Sequence, residues 1–99
     1  MRAILNVASG RVAQATGWRA REIKVDRHSA TLRDILRAAP AGDGETSVYD
    51  LITDEAGLRN DFSLFISGDF LQGDVDLERT IKESEQIHVW DWPFSTRDS

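Results

Sequence analysis

The chain contains no cysteine, only two histidines and only two prolines among its 99 residues. Without cysteine it can form no disulfide, no thiolate nucleophile and no thiolate metal site. His28 and His88 each lack a second imidazole at ligand spacing, so we expect no metal site. No apolar run reaches the roughly 18 residues of a membrane-spanning helix, and the start lacks the pattern of a secretory signal. These absences favour a cytoplasmic protein that does not bind membranes.

The composition is that of one small globular domain, with 40% apolar and 29% charged residues. Acidic residues outnumber basic ones by 17 to 12, and the net charge of −5 argues against nucleic acid as a partner. Five of the basic residues in the first third could form a local patch, although we expect solvated charges on an exposed hairpin: Arg11, Arg19, Arg21, Lys24 and Arg27. We expect a single domain over residues 1–94 and a frayed tail over residues 95–99, which contain no apolar side chain.

No motif of a catalytic or cofactor site is present. Ser9, Ser47 and Ser67 lie in no nucleophile motif and suit turn and cap positions, and the glycines do not form a phosphate-binding loop. Asp74, Asp76 and Glu78 alternate along the chain but lack the full calcium-loop pattern, which favours a solvated acidic loop. We therefore expect no catalytic residue, no metal, no cofactor and no enzymatic activity.

Alternation of apolar and polar residues predicts strands, because successive strand side chains point to opposite faces. The predicted strands are Ala3–Ala8, Arg19–Asp26, Phe62–Ser67, a short return strand at Phe70–Leu71, and a last strand that ends at Pro93. The first two should form a hairpin across a wide connection that holds one helical turn. Residues 72–79 should be irregular, and Ile81 should enter the core.

Two helices are predicted from capping residues and helical apolar spacing. The first begins at Thr31 and is stopped by Pro40. The second runs from Val48 to Ala56, with Gly57 as its C-terminal cap.

The last strand is apolar on both faces. Ile87 and Val89 point one way, whereas His88, Trp90 and Trp92 point the other. One face is typical of a core, and the other forms an aromatic stripe that suits a central strand with a second role.

Three segments carry a family resemblance: Gly10-Arg-Val-Ala-Gln-Ala-Thr-Gly-Trp-Arg-Ala-Arg-Glu-Ile23, Thr31-Leu-Arg-Asp-Ile-Leu36 and Leu64-Phe-Ile-Ser-Gly-Asp69. They resemble the small subunit of molybdopterin synthase and its relative, the thiamine sulfur carrier. Ile81-Lys-Glu-Ser-Glu-Gln-Ile-His-Val89 is also similar to the approach to the last strand of ubiquitin. The resemblance and the element order predict an α+β fold of the ubiquitin-like β-grasp type. It should have a mixed four- to five-stranded sheet with one main helix packed on one face.

The ending departs from that family. Its sulfur carriers and protein conjugators end in Gly-Gly, because the tail must thread a narrow active site in extended form. This chain has Ser95-Thr96 at about that place, and no Gly-Gly pair precedes it. The carrier role, in which the C-terminal carboxylate is activated, therefore stays an alternative without an assigned residue.

The resemblance places the last strand between the first and third, so Ile4, Phe65, His88 and Trp90 should adjoin on the face away from the helix, with Trp92 beyond. Exposed aromatic clusters of this size usually mark a binding site. We predict a protein-binding module that acts as an adaptor or accessory subunit, with a homodimer as one form of binding. A small ubiquitin-like subunit of a multi-component oxygenase is a further alternative. The patch could also be covered by the chain itself, through Pro93 and Phe94 or through Trp18.

Overall fold

The computed structural model describes residues 1–42, 44–73 and 75–91. Trp92 and the predicted tail at residues 95–99 therefore lie outside the described residues. In chain order the elements are β1 (Arg2–Val7), α1 (Gly10–Thr16), β2 (Ala20–Lys24), β3 (Ala30–Thr31), α2 (Leu32–Ala38), α3 (Val48–Ile52), β4 (Thr53–Asp54), β5 (Gly57–Leu58), β6 (Phe62–Ile66), β7 (Asp69–Leu71), β8 (Thr80–Ile81) and β9 (Glu85–Asp91).

One mixed sheet of five strands organises the fold, in the order β2-β1-β9-β6-β7. The central strand β9 runs parallel to β1 and antiparallel to β6. The hairpins β1/β2 and β6/β7 extend the sheet on either side. The predicted mixed sheet is therefore confirmed, with the last strand between the first and the third long strand.

The core lies on one face of this sheet, where alternate side chains of the three inner strands are fully buried. They are Ala3 and Leu5 of β1, Leu64 and Ile66 of β6, and Ile87 and Val89 of β9. The helix α2 packs on this face through Leu32, Ile35 and Leu36, which are also fully buried. The spacing of these three residues forms one apolar stripe on α2, as the sequence predicts.

Helix α2 begins at a complete capping box. The Thr31 hydroxyl accepts a hydrogen bond from the Asp34 backbone N–H, and the Asp34 carboxylate accepts one from the Thr31 backbone N–H. That second bond is the main reason why the pKa of Asp34 is lowered. Ala39, which precedes Pro40, has an extended backbone, as expected next to a proline, so the helix ends at Ala38.

The connection between β1 and β2 is more helical than predicted. Helix α1 has seven residues, not a single turn. The Ser9 hydroxyl caps it by accepting a hydrogen bond from the Val12 backbone N–H, and Gly17 ends it with a left-handed backbone at φ 84°. Burial of Val12 and Ala13 against the core stabilises a helix too short to form alone.

The prediction of the second helix is wrong for its C-terminal half. Helix α3 ends at Ile52, and Thr53 is already extended at φ −122° and ψ 160°. Strands β4 and β5 then pair as a small hairpin, so Gly57 lies in a strand with φ 115° instead of capping a helix. The Thr53 hydroxyl donates to the Tyr49 carbonyl, which satisfies the helix end locally.

A second small sheet joins β3 to β8 and brings Ile81 into the core with 2% exposure, which confirms its predicted burial. The pairing itself is not predicted, because each strand has only two residues. None of the helices in the described residues is long and apolar enough to cross a membrane.

Candidate functional site

The face of the sheet opposite α2, which we call the open face, carries the predicted aromatic stripe. It is formed by the strand residues that alternate with the buried ones: Arg2, Ile4 and Asn6 of β1, Ala20, Glu22 and Lys24 of β2, Gln86, His88 and Trp90 of β9, Ser63 and Phe65 of β6, and Phe70 of β7. In the described residues, this face is not covered by a helix.

Three large apolar side chains are exposed on the open face. Phe65 is 38% exposed, Trp90 is 40% exposed and Phe70 is 44% exposed. Among the described residues these are the large hydrophobic side chains with this degree of exposure, and all three belong to neighbouring strands of one face. The three exposed rings therefore lie together on adjacent strands of one face and are not scattered over the surface.

Phe65 is the centre of this arrangement. It lies opposite His88 on β9 and opposite Phe70 on β7. The rings of Phe65 and His88 meet edge to face, with centroids 6.3 Å apart and an interplanar angle of 71°. Cross-strand aromatic contacts of this kind hold both rings in place on the sheet surface.

Phe70 belongs to the site, although the sequence prediction left it out. Its face is set by the turn before it, where Ile66 pairs with Asp69 across a two-residue loop. Ser67 and Gly68 both have positive φ, at 49° and 87°, as a tight hairpin turn requires. The Ser-Gly pair was the signal that could have placed Phe70 beside Phe65.

Ile4 and Trp90 share the open face but do not adjoin, which corrects the predicted cluster. Ile4 lies beside Gln86, whereas Asn6 is the neighbour of His88 in the parallel pairing. Trp90 lies opposite Ser63, two residues along β9 from His88. The parallel register therefore places Ile4 away from the aromatic centre. Its side chain is half-buried. Trp92, the remaining predicted site residue, lies outside the described residues.

Trp18 does not cover the open face. Its indole Nε1 donates a hydrogen bond of 3.0 Å to the carbonyl of Pro40, and its ring packs against the core. Arg21 lies over the ring at 6.0 Å. The alternative that Trp18 folds back over the stripe is therefore wrong.

Charge is unevenly distributed on the open face. Its charged side chains belong to β1 and β2, where Glu22 pairs with Arg2 at 3.6 Å and with Lys24 at 3.8 Å. The open-face residues of β9, β6 and β7 include no Asp, Glu, Lys or Arg. We call these six residues the uncharged strip: Ser63, Phe65, Phe70, Gln86, His88 and Trp90. The strip combines aromatic rings with polar side chains that are not Asp, Glu, Lys or Arg.

Ser63 is an unusual member of the strip because it is fully buried. Its hydroxyl makes no hydrogen bond in the described part of the chain. A buried hydroxyl without a partner is destabilising, and native proteins keep few of them. Ser63 therefore places an unused hydrogen-bonding group beside Trp90.

A polar cluster around Arg11 holds the end of β9 in place, next to the strip. Arg11 donates hydrogen bonds to the Asp61 carboxylate at 2.8 Å, to the Asp61 carbonyl at 2.9 Å and to the Asp91 carboxylate at 3.1 Å. The Ser9 hydroxyl donates to Asp91 at 2.6 Å, and the Arg11 guanidinium lies 4.6 Å from the centre of the Phe62 ring. Arg11 is thus a paired residue, not the freely solvated charge that the sequence predicts.

The Arg11 hydrogen bond lowers the pKa of Asp61. A carboxyl group with a lowered folded-state pKa contributes stability above its unfolded pKa of about 3.9 and loses it as the pH falls through the folded value. We expect Asp61→Asn to be less stable than the wild type at pH 7 by less than about 1 kcal/mol, because the pair is exposed to solvent.

Thermal denaturation between pH 7 and pH 2 measures this difference. The two proteins should become equally stable at the acid end, since protonated Asp61 and Asn carry the same charge. A stability difference that stays constant down to pH 2 would show that the charge of Asp61 is not responsible.

Among the described residues, the lining of the clefts shows no recognisable catalytic group. One cleft of ≈ 510 Å³ lies between residues 54–57 and residues 75–78 and is also lined by Arg33 and Tyr49. Arg33 forms an ion pair with Glu78 beside it and also donates to the Tyr49 phenol, which lowers the pKa of Tyr49. Among the described residues, no three His, Asp or Glu side chains converge as a metal site requires. The uncharged strip remains the candidate site.

Comparison with known proteins bears on the fold. No protein-family model matches the chain, and no curated protein sequence matches it. Among solved structures, the chain is similar to the crystal structure of SAMP1 from Haloferax volcanii, with a TM-score of 0.66 and 16% sequence identity. The match covers 98% of this chain and 100% of that chain. The likeness confirms the predicted ubiquitin-like β-grasp fold, while the resemblance to the molybdopterin synthase and thiamine families stays a prediction.

Proposed function

We propose that this small ubiquitin-like protein is a non-catalytic binding module that docks a protein partner on the open face of its sheet. It acts as an adaptor or small accessory subunit in the cytoplasm. The observation that supports this proposal is the exposure of Phe65, Phe70 and Trp90 on one uncharged strip. Since large aromatic side chains are the most frequent anchors of protein interfaces, their grouping favours a partner over chance exposure.

The area of the patch supports a specific contact. A large aromatic side chain has about 150–250 Å² of surface, so three rings exposed by about two-fifths present roughly 200–300 Å². This estimate approaches the few-hundred-Å² patches that mark interaction sites on soluble proteins. Leaving such a surface in water is unfavourable by about 25 cal/mol per Å², which a partner would recover.

The same estimate favours a transient partner over a stable homodimer. A standard interface buries about 800 Å² on each partner, several times the exposed aromatic area of the strip. The net charge of −5 also disfavours close approach of two copies. A partner that binds reversibly through a few anchors fits both observations.

The experiment is capture from an extract of the source organism, using immobilised wild-type protein beside Phe65→Ser. We expect a protein that the wild type retains and Phe65→Ser loses, because the substitution removes the central ring of the strip. Lys24→Ser is the matched control, since Lys24 lies on the same face outside the strip. Equal capture by the wild type and Phe65→Ser would contradict the proposal.

A chain truncated after Pro93 separates this proposal from the carrier alternative. Loss of binding on truncation, with an adenylating enzyme as the partner, would favour a protein that acts through its C-terminal carboxylate. An exchange of one oxygen for one sulfur, seen by intact mass after incubation with that enzyme and a sulfur donor, would establish the carrier role. Retained binding by the truncated chain agrees with docking on the open face.

A further inference from the structure

We propose that the partner segment which occupies the uncharged strip is itself uncharged and rich in proline, and that it binds as an extended polyproline II helix. This inference rests on the proposed function and names the chemistry of the partner. Three observations carry it: the absence of charge on the strip, the spacing of its aromatic rings and the unused hydroxyl of Ser63.

The absence of charge selects against charged segments. A partner with Lys, Arg, Asp or Glu at the contact would lose hydration at its charged groups and find no opposite charge on the open face of β9, β6 or β7. The polar groups of Gln86 and His88 flank the rings instead. The strip therefore suits apolar groups together with uncharged hydrogen-bonding atoms.

The aromatic spacing suits a polyproline II helix. Trp90 on β9 and Phe70 on β7 are separated by the strand β6. Trp90 lies opposite Ser63 of β6, and Phe70 lies opposite Phe65, two residues further along that strand. Strands lie about 4.8 Å apart and alternate residues about 6.7 Å apart, so the backbone positions of Trp90 and Phe70 are separated by roughly 12 Å. A polyproline II helix advances about 9 Å per turn, so successive turns can meet the rings at the two ends of the strip.

Ser63 favours a ligand that supplies hydrogen-bond acceptors. Its buried hydroxyl is a donor without an acceptor in the described residues, and it lies opposite Trp90. A proline-rich segment has backbone carbonyl groups but few N–H groups, so it offers the missing acceptor and brings few donors that need partners. Movement of the side chains around Ser63 would open the hydroxyl to a carbonyl oxygen of the bound segment.

Preorganisation explains how a small patch can suffice. A polyproline II segment is already extended before it binds, so it loses less conformational entropy than a flexible peptide of equal length. Aromatic-lined surfaces use this property to bind proline-rich segments.

The test titrates full-length protein with acetyl-decaproline amide, followed by amide NMR shifts. Uncharged, flexible acetyl-(Gly-Ser)-repeat amide of equal length and decalysine amide are the comparison probes. We expect saturable binding of decaproline but not of the other two probes, with amide chemical-shift changes on β9, β6 and β7. Trp90→Ala should weaken it at least tenfold and Ser63→Ala about threefold, while Lys24→Ser leaves it unchanged. The melting temperature of Ser63→Ala should be equal to or above that of the wild type, because an unpaired buried hydroxyl is removed.

Absence of saturable decaproline binding, or equal binding of the flexible or charged probe, would overturn the inference. So would unchanged affinity in Trp90→Ala, or a wild-type homodimer that Trp90→Ala abolishes, since a second copy would then occupy the strip. If decaproline fails while extract capture still depends on Phe65, the protein-binding function stands and only the chemistry of the partner is wrong. If both experiments fail, the open face is not a docking surface.

Discussion

Replacement of Trp90 by Ala is expected to weaken binding of the captured partner by about 2 kcal/mol or more, roughly a thirtyfold rise in Kd. Trp90 combines the largest ring of the strip with 40% exposure, so a partner can bury much of its remaining surface. The preceding residue, Val89, packs into the core from the opposite face of β9. The truncation should therefore remove binding energy without opening the core. Titration calorimetry measures the affinity, and thermal denaturation measures the stability.

The controls for Trp90→Ala separate three explanations. Lys24→Ser, on the charged side of the same face, should bind the partner as the wild type does. Unchanged affinity in Trp90→Ala would show that the partner docks elsewhere. A large fall in melting temperature would show that Trp90 stabilises the fold, for example by covering Ser63, instead of acting as an exposed anchor.

The two faces of the sheet could be predicted from the sequence because strand alternation is a local property. Ile87 and Val89 are apolar at alternate positions, and so are Leu64 and Ile66. Burial of one set fixes the other set on the opposite face, since a shift by one residue would expose the entire core set. The presence of Phe65 and Trp90 on one surface followed from that constraint together with the predicted strand order.

The neighbours within the open face were harder to predict, because they depend on register instead of alternation. The two-residue turn at Ser67 and Gly68 decides that Phe70 faces Phe65. The parallel pairing of β1 with β9 places Ile4 beside Gln86. No local sequence pattern encodes the stagger of two strands that are more than 80 residues apart in the chain.

Contacts between distant side chains could not be predicted at all. Arg11 meets Asp61 and Asp91 across 50 and 80 residues of sequence. A short arginine-bearing segment before a glycine gives no indication of those partners. The early end of α3 has a similar origin, because pairing of β4 with β5 competes with continuation of the helix after Ile52.

The neighbours Leu64 and Phe65 allow the division between fold and binding to be tested within one strand. Leu64 is fully buried and Phe65 is 38% exposed, although they are consecutive in β6. We expect Leu64→Ala to lower the free energy of unfolding by about 2–5 kcal/mol, through lost burial and the cavity that remains. That loss is a large part of the total free energy of unfolding of a small domain, which is about 5–15 kcal/mol.

Phe65→Ala should instead cost less than about 1.5 kcal/mol, mainly from its edge-to-face contact with His88, while it removes the centre of the binding surface. Urea denaturation of both variants, with partner binding measured below the transition, gives the two quantities side by side. Because the substitutions are adjacent and both end in Ala, differences in strand propensity and position are nearly matched. Similar destabilisation by both would mean that Phe65 belongs to the core, and the open face would then lose its central anchor.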